Sequence, residues 1–367
     1  PTKRIFLSII SDYDLNRSIC ELVDNAIDNW IKNGQKSHLV IELVFDLSQQ
    51  TISITDNSGG LCKEDLSLVV RPGQTGNEPT DPVIGIFGVG TKRAVVALAQ
   101  DIKISTRPVE GATHRVEFDD DWIKDDDWHL PVFEIDDIQE GSTCIFLQRL
   151  RNAINEEKIS FLKKHLQCTY AKFLSGSKIS IIVDTIKLSP IEFENWAYPP
   201  GHAPQMLVGA LPIEETQIKT SITAGLAAES SSAEGEYGVY LYCNNRLIAR
   251  AIKDFDVGFG KGMAGLPHPS ISLVRVIVTL EGDAKLMPWN SSKSAIDYNH
   301  PSFQALRSSI VELLKHFAAL SRSMVGDWPN KVFKYTTGQI VTASDADFPQ
   351  VRKLHLPLLP RSRYRYD

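Results

Sequence analysis

The sequence lacks the features that define several large classes of protein. It has few cysteines for its 367 residues, and no two of them form a Cys-x-x-Cys pair. The five are Cys20, Cys62, Cys144, Cys168 and Cys243. Such scattered thiols argue against a disulfide framework or a zinc site and favour a reducing compartment. No apolar run is long enough to span a membrane, and no signal peptide is visible. We therefore expect a soluble intracellular protein, cytoplasmic or nuclear, with no membrane partner.

An excess of basic charge is also missing. The formal net charge is −6 at pH 7, so the chain as a whole does not attract nucleic acid. Any such contact would depend on a local patch. The residues from Arg352 to the end are basic and aromatic, which predicts either a patch of this kind or a linker into a further domain.

Two common phosphate-binding patterns are absent as well. Residues 85–92 read Gly-Ile-Phe-Gly-Val-Gly-Thr-Lys, and the Walker pattern requires a lysine before the Ser or Thr, whereas here Thr91 precedes Lys92. The dinucleotide fingerprint fails because no third glycine follows Gly88 and Gly90 at the required offset. The sequence therefore disfavours the P-loop and Rossmann folds.

An amphipathic helix with an acidic face is predicted near residues 19–30. Its apolar arc contains Ile19, Leu22, Val23, Ala26, Ile27 and Trp30, and its polar face contains Glu21, Asp24, Asn25 and Asp28. Like charges three or four residues apart each cost a few tenths of a kcal/mol. No cation lies among residues 21–28. The pattern indicates a metal or ligand that neutralises this face, and the alternative is a solvated acidic surface.

Two glycine-bearing segments follow this helix. The first, Asp56–Leu61, comes directly after an alternating run that predicts a strand at Thr51–Thr55. The second, Gly85–Lys92, leads into a predicted helix, and a glycine-rich turn at a helix start binds anions through its backbone N–H groups. A positive charge such as Lys92 at a helix start interacts unfavourably with the helix dipole, which indicates that the lysine binds a phosphate. The alternative for the whole segment is a tight turn with a purely structural role. Residues 62–84 have the composition of a long loop, which predicts a lid.

These motifs, followed by Gly141-Ser142-Thr143, occur in the order found in the GHKL ATPases, which the chain resembles. That group includes gyrase B subunits, the ninety-kilodalton heat-shock chaperone, MutL, histidine kinases and MORC proteins. The resemblance implies a Bergerat fold, an α/β (α+β) sandwich with a mixed sheet that binds ATP beneath a mobile lid. One departure is Ser58, which stands where the family usually has glycine.

The resemblance also implies roles for individual residues of the first half. Glu21 would be the general base, Asn25 would hold Mg²⁺, and Asp56 would accept a hydrogen bond from the adenine amino group. Gly60 would let the base approach the backbone, and Thr143 would lie behind the adenine. The remaining expected nucleotide contacts are Asp28, Gly85, Gly88, Val89, Gly90, Thr91 and Lys92.

The second half resembles the transducer domain of gyrase B, MutL and MORC proteins. The stretch Asn244–Ile248 is similar to the Asn-Asn-Arg-Leu-Ile of MORC-type chains. In those relatives a lysine of the transducer contacts the γ-phosphate in catalysis, and Lys293 in a polar loop is the candidate here. Lys285 is a second candidate, and an ordinary surface lysine is the alternative. We expect an ATP-binding domain at residues 1–152, with its lid at about 62–84, a transducer-like α/β domain at 153–322, and a C-terminal extension or linker at 323–367.

Together these motifs predict an ATP- and Mg²⁺-dependent ATPase that closes and homodimerises on ATP. We expect a nucleotide-gated clamp in a DNA-associated system of the MORC or MutL kind, serving repair, chromatin or defence. DNA and further domains or partner proteins are the additional candidate partners. Two alternatives stay open, a chaperone-type clamp that binds protein and a nucleotide sensor that does not hydrolyse ATP.

Overall fold

The computed structural model describes residues 13–66, 84, 90–125, 129–198, 201–213, 216–290, 292–324, 341–343 and 351–354. The chain divides into two compact units. The described residues up to Ile191 belong to the first unit, and those from Glu192 onward belong to the second. Most of the predicted lid, and the segment from Gly85 to Val89, lie outside the described residues. Among the helices that are described, none is both long enough and apolar enough to cross a membrane.

The first unit is built on a mixed sheet flanked by helices. Its helices are α1 (Leu15–Lys32), α2 (Gly90–Leu98), α3 (Asp120–Lys124), α4 (Glu156–Thr169) and α5 (Ala171–Ser175). Its strands are β1 (Leu39–Asp46), β2 (Thr51–Asp56), β3 (Ala99–Arg107), β4 (His114–Asp119), β5 (Val132–Glu134), β6 (Ser142–Leu150), β7 (Ile179–Val183) and β8 (Ile186–Lys187). The strand order is β5-β4-β3-β6-β2-β1-β7-β8. Neighbours are antiparallel except β1 and β7, which are parallel.

Helix α1 is held in place by its cap and by its apolar face. The Asp14 carboxylate accepts a hydrogen bond from the backbone N–H of Arg17 at 2.8 Å, which satisfies one of the donors left open at a helix start. The predicted apolar arc is buried in the core of the unit, and Trp30 Nε1 donates to the carbonyl oxygen of Ser37 at 2.7 Å. Burying an apolar side chain of this size contributes about 1.5–3 kcal/mol, so this face fixes the orientation of the helix.

The first unit extends further along the chain than the predicted boundary at residue 152. It continues to Ile191 because β7 pairs in parallel with β1, which brings the segment after β6 into the same sheet. The sequence predicts one helix over residues 156–174, but in the structure it is interrupted at Tyr170 and forms α4 and α5. The sequence likewise predicts one strand over residues 178–188, but this segment is a hairpin, since Asp184 and Thr185 have positive φ and turn the chain between β7 and β8.

The second unit carries a separate mixed sheet. Its strands are β9 (Trp196–Tyr198), β10 (Gln205–Ile213), β11 (Thr216–Leu226), β12 (Gly238–Cys243), β13 (Arg246–Ile252), β14 (Val274–Glu281), β15 (Val341–Ala343) and β16 (Val351–Lys353). The main sheet has the order β13-β12-β14-β11-β10-β16, and β15 pairs with β9. Helix α6 (Pro301–Met324) packs against β11 and β14. The large mixed sheets and their helices confirm the predicted mixed α/β class.

Candidate functional site

The acidic face of α1 is buried. Glu21 is 5% exposed, Asp24 is 0% exposed and Asp28 is 2% exposed. The solvated acidic surface considered for this helix is therefore wrong. Buried carboxylates are stable only where hydrogen bonds or counter-charges compensate the loss of water, so each of them calls for partners.

Two of these carboxylates have partners within the first unit. The Tyr170 hydroxyl donates to Asp24 Oδ1 at 2.7 Å and to the carbonyl oxygen of Cys20 at 2.9 Å, which ties α1 to the junction of α4 and α5. The backbone N–H of Ile84 donates to Asp28 Oδ1 at 2.8 Å. Asp28 therefore anchors the residue that precedes the glycine-rich segment, and its expected contact with nucleotide stays a prediction.

The two remaining polar residues lie one helical turn apart. Glu21 and Asn25 occupy the same face of α1, and Asn25 Nδ2 donates to the backbone carbonyl oxygen of Glu21. This bond ties the Asn25 amide to the backbone of α1, one turn after Glu21. A carboxylate and an amide on successive turns of one helix are groups of the types that can act as a base and as a metal ligand.

Asp56 is the last residue of β2 and begins a tight turn. Its carboxylate accepts a hydrogen bond from the backbone N–H of Ser58 at 3.0 Å. Burial raises the pKa of Asp56 above its ordinary value, and the hydrogen bonds from Ser58 oppose this shift only in part. A buried carboxylate at a strand end is a strong acceptor for a ligand N–H group once it is ionised.

Two asparagines brace this turn, Asn29 of α1 and Asn33, the residue that caps the end of α1. Asn29 Nδ2 donates to Ser58 Oγ at 2.9 Å, and Asn33 Nδ2 donates to the backbone carbonyl oxygen of Ser58 at 2.9 Å. The serine that replaces the usual glycine thus has a partner of its own in Asn29. Neither asparagine was predicted, although they lie four and eight residues after Asn25, on the side of the helix that carries its polar face.

Glycines let the turn approach its neighbours. Gly60 has φ +66°, and a Cβ atom there would lie 2.0 Å from the backbone oxygen of Arg107 at the end of β3. The N–H of Gly59 donates to the carbonyl oxygen of Gly141 at 2.8 Å. Glycine at position 60 is thus required by close packing of protein backbone, while its expected contact with adenine stays a prediction.

Thr143 lies directly opposite Asp56. The two residues are register partners on β6 and β2, and Thr143 is also the register partner of Thr106 on β3. The two threonine Oγ1 atoms are 3.1 Å apart, and Thr106 Oγ1 accepts the backbone N–H of Leu61 at 2.8 Å. Sequence analysis missed Thr106, since only the strand register brings it next to Thr143. Three adjacent strands therefore place one carboxylate and two hydroxyls at one end of the sheet.

The glycine-rich segment is only partly described. Helix α2 begins at Gly90, within the glycine-bearing segment rather than after Lys92 as predicted, and it buries Ala94, Val95 and Val96. Thr91 and Lys92 belong to the first turn of α2, and α2 packs against α1. The side chains of Thr91 and Lys92, and the residues Gly85, Gly88 and Val89, lie outside the described part of the chain. Their contacts with phosphate stay predictions.

The two candidate lysines of the second unit differ in their surroundings. Lys285 is exposed, whereas Lys293 is 2% exposed and has φ +51°. Lys293 is therefore not an ordinary surface lysine. A lysine is rarely buried, and a residue other than glycine with positive φ is uncommon, so the loop holds it in an unusual conformation.

Comparison with known proteins supports the GHKL assignment for the first part of the chain. Residues 13–149 match the family model described as histidine kinase-, DNA gyrase B-, and HSP90-like ATPase. The match begins just before α1 and ends in β6, so it spans the acidic helix, the Asp56 turn and Thr143. The mixed sheet and its helices are consistent with the sandwich fold of that group. A search of the curated proteins finds no match.

The residues of this part of the chain fit ATP and Mg²⁺. The buried Asp56 carboxylate can accept a hydrogen bond from an exocyclic amine, and Thr143 is its register partner on the neighbouring strand. Asn25 offers an amide oxygen, a type of ligand that Mg²⁺ takes together with water and phosphate oxygens. The family match therefore supports an ATP-binding module, for which Mg²⁺ is the typical companion.

Proposed function

We propose that the first unit binds Mg·ATP and hydrolyses it to ADP and phosphate. The observation that carries this proposal is that one helix, α1, serves both ends of the site. Glu21 and Asn25 lie in its middle, and Asn29 and Asn33 brace the turn that holds Asp56. A ligand with a nucleobase at one end and a triphosphate at the other fits this arrangement, and the family match agrees with it.

In the proposed reaction Asp56 accepts a hydrogen bond from the adenine amino group, and Thr143 lies behind the adenine ring. Bound Mg²⁺, held by Asn25, would neutralise charge on the phosphate oxygens. Glu21 orients a water molecule and takes its proton as the oxygen attacks the γ-phosphorus. The bond between that phosphorus and the β–γ bridging oxygen then breaks, and ADP leaves. Phosphoryl transfer needs an aligned nucleophile and compensated charge more than covalent help, which these residue types supply.

The proposed catalytic role of the second unit rests on Lys293. A cation that reaches the terminal phosphate would stabilise the charge that develops there during transfer. On this basis we infer a nucleotide-gated clamp that homodimerises when ATP is bound, of the MORC or MutL kind, in a DNA-associated system. The likeness of Asn244–Ile248 to the MORC-type stretch supports this finer assignment.

Replacing Glu21 tests the hydrolytic role. We expect Glu21→Ala to lower kcat by about 10²–10⁴-fold, the usual contribution of a general base, while the Kd for ATP changes little. The matched control is Glu42→Gln, an exposed carboxylate of β1, which should leave turnover unchanged. Phosphate release and calorimetric titration measure the two quantities. Unchanged turnover in Glu21→Ala would contradict the role, and a wild-type protein that binds ATP without turnover would be a sensor.

The molar mass of the protein and the effect of DNA on its ATP turnover test the clamp proposal. Light scattering should report a monomer-to-dimer shift when a non-hydrolysable ATP analogue and Mg²⁺ are added, and a constant mass would refute the clamp proposal. Duplex DNA should stimulate ATP turnover in a DNA-associated protein. Absence of stimulation together with an intact dimer shift would favour the chaperone-type clamp instead.

A further inference from the structure

The loop that contains Lys293 is organised by a single asparagine. Asn290 Oδ1 accepts the backbone N–H of Ser294 at 2.9 Å and that of Ala295 at 3.3 Å. The backbone of Asn290 also pairs with Lys293 and Ala295, through Lys293 N–H to Asn290 O at 2.9 Å and Asn290 N–H to Ala295 O at 3.1 Å. The described part of this loop is therefore a compact turn, closed below by a bridge between Trp289 and Ile296.

A second contact holds this turn from the sheet. Arg246 is 4% exposed, and its Nη1 donates to the backbone carbonyl oxygen of Lys293 at 2.7 Å. Among the described residues of this loop, Lys293 alone combines burial with positive φ. A guanidinium is planar and cannot lose its proton, so it is well suited to fix one carbonyl group in one direction.

Arg246 is itself rigidly placed. It begins β13 directly after the turn residues Asn244 and Asn245, which both have positive φ, as a two-residue hairpin of type I′ requires. Asn244 Nδ2 donates to the carbonyl oxygen of Gly282 at 3.0 Å, and Asn244 Oδ1 accepts the N–H of Gly282 at 2.9 Å. This pair locks the hairpin to the end of β14, the strand from which the chain continues toward the loop.

We propose that Arg246 is a positioning residue for ATP hydrolysis, because it fixes the backbone of Lys293 and thereby directs the lysine side chain. The inference rests on the proposed function, in which Lys293 contacts the terminal phosphate. Arg246 acts through Lys293 and touches no substrate. Its loss should therefore matter only while Lys293 carries its ammonium group.

A double-mutant cycle tests this proposal. The variants are Arg246→Met, Lys293→Met and the pair together, with Arg250→Met as the control. Methionine suits the buried position because it keeps an apolar stem of similar length and removes only the guanidinium donors. Arg250 lies on the same strand, is half-buried and pairs with Glu236, away from the loop, so its replacement should leave turnover unchanged.

We expect Arg246→Met to lower kcat about tenfold or more and to change the KM for ATP by less than about threefold, because the proposed nucleotide contacts of the first unit stay intact. In the Lys293→Met background the same change should lower kcat by less than about twofold, since the interaction it served has gone. An equal loss in both backgrounds would overturn the proposal, because it would mean a purely structural role.

A second variant keeps the test valid if Arg246→Met fails to fold. Asn290→Ala removes the side chain that closes the turn at an exposed position, and we expect the same loss of kcat and the same dependence on Lys293. Additive effects of Asn290→Ala and Lys293→Met would overturn the proposal. A wild-type protein without ATP turnover would refute the proposed function itself, whereas an active wild type with normal kcat in both loop variants would refute only the role of Arg246.

Discussion

At the level of single residues, Asp56, the proposed acceptor for adenine, lowers the stability of the folded protein. The carboxylate is buried at the end of β2, and the N–H of Ser58 donates to it. Burial raises its pKa above 3.8, so the folded state holds the proton to a higher pH than the unfolded state does. Stability is therefore lost progressively as the pH rises from 3.8 through the raised pKa, so this carboxyl group makes the folded state less stable at neutral pH.

Asp56→Asn should therefore stabilise the protein while it weakens nucleotide binding. At pH 7 we expect a higher melting temperature than for the wild type, with the difference disappearing as the pH falls below 3.8, where both Asp56 and its unfolded counterpart are protonated. Thermal unfolding over a pH series measures this. The amide presents N–H groups to the adenine amine, so affinity for ATP should fall in the same variant.

Asp46→Asn is a control for which we expect the opposite effect on stability. Hydrogen bonds from the Ser48 side chain and the backbone N–H of Gln49 lower the pKa of Asp46, so its charge stabilises the folded state at neutral pH. We expect Asp46→Asn to be less stable than the wild type above pH 3.8 and to bind ATP normally. If both variants shifted the melting temperature in the same direction, the electrostatic explanation for Asp56 would be wrong.

The candidate residues Glu21, Asn25 and Asp56 stand out in the sequence, whereas the residues that contact their surroundings do not. Acidic residues and amides at helical spacing or at a strand end are informative on their own. Asn29, Asn33 and Thr106 were missed because each contributes through a partner distant in sequence. Their roles depend on the fold that brings Ser58 and Leu61 to them.

At the scale of elements, the close contact of the Asp56 turn with β3 depends on Gly60. This residue has φ +66°, and any Cβ atom would meet the backbone oxygen of Arg107 at 2.0 Å. The neighbouring backbone cannot yield as a flexible side chain could. The turn and the strand end must therefore separate if position 60 carries a larger residue.

Gly60→Ala should destabilise the first unit by about 2 kcal/mol or more, since backbone strain and a backbone clash add. Gly34→Ala is the matched control in the same unit, because Gly34 also has positive φ but has only the Lys36 side chain nearby, at 3.7 Å. It should cost about 1 kcal/mol from strain alone. Urea denaturation measures both, and equal losses would show that the clash with Arg107 is relieved at little cost.

Helices and strands could be predicted where the local sequence pattern determines them. Strand β2 and helices α1 and α2 were predicted from their periodicity, and the amphipathic pattern from about Ser302 to Ser321 predicts α6 in the same way. The break at Tyr170 was not, since its cause is tertiary: the Tyr170 hydroxyl bonds to Asp24 and Cys20 of α1. Strand β10 was missed altogether, and the division of residues 178–188 into a hairpin depends on two positive φ values that the sequence Asp184-Thr185 does not require.

At the scale of the whole molecule, the chain consists of two compact units with a mixed sheet in each. The predicted boundary lay some forty residues too early, because a parallel strand pair between β1 and β7 cannot be read from either strand alone. The family match covers only the first part of the chain, up to residue 149. The transducer-like role of the second unit therefore depends on Lys293 and on the experiments proposed for it.

In the proposed function, α1 and the Asp56 turn form a site for Mg·ATP. Calorimetric titration of the purified chain with a non-hydrolysable ATP analogue and Mg²⁺ tests it most directly, with Asp56→Ala as the paired variant. We predict saturable binding by the wild type at one site per chain and a loss of affinity of at least about tenfold in Asp56→Ala, the cost of a lost charged hydrogen bond. Absence of binding by the folded wild-type protein, or equal affinity in the two proteins, would contradict the account.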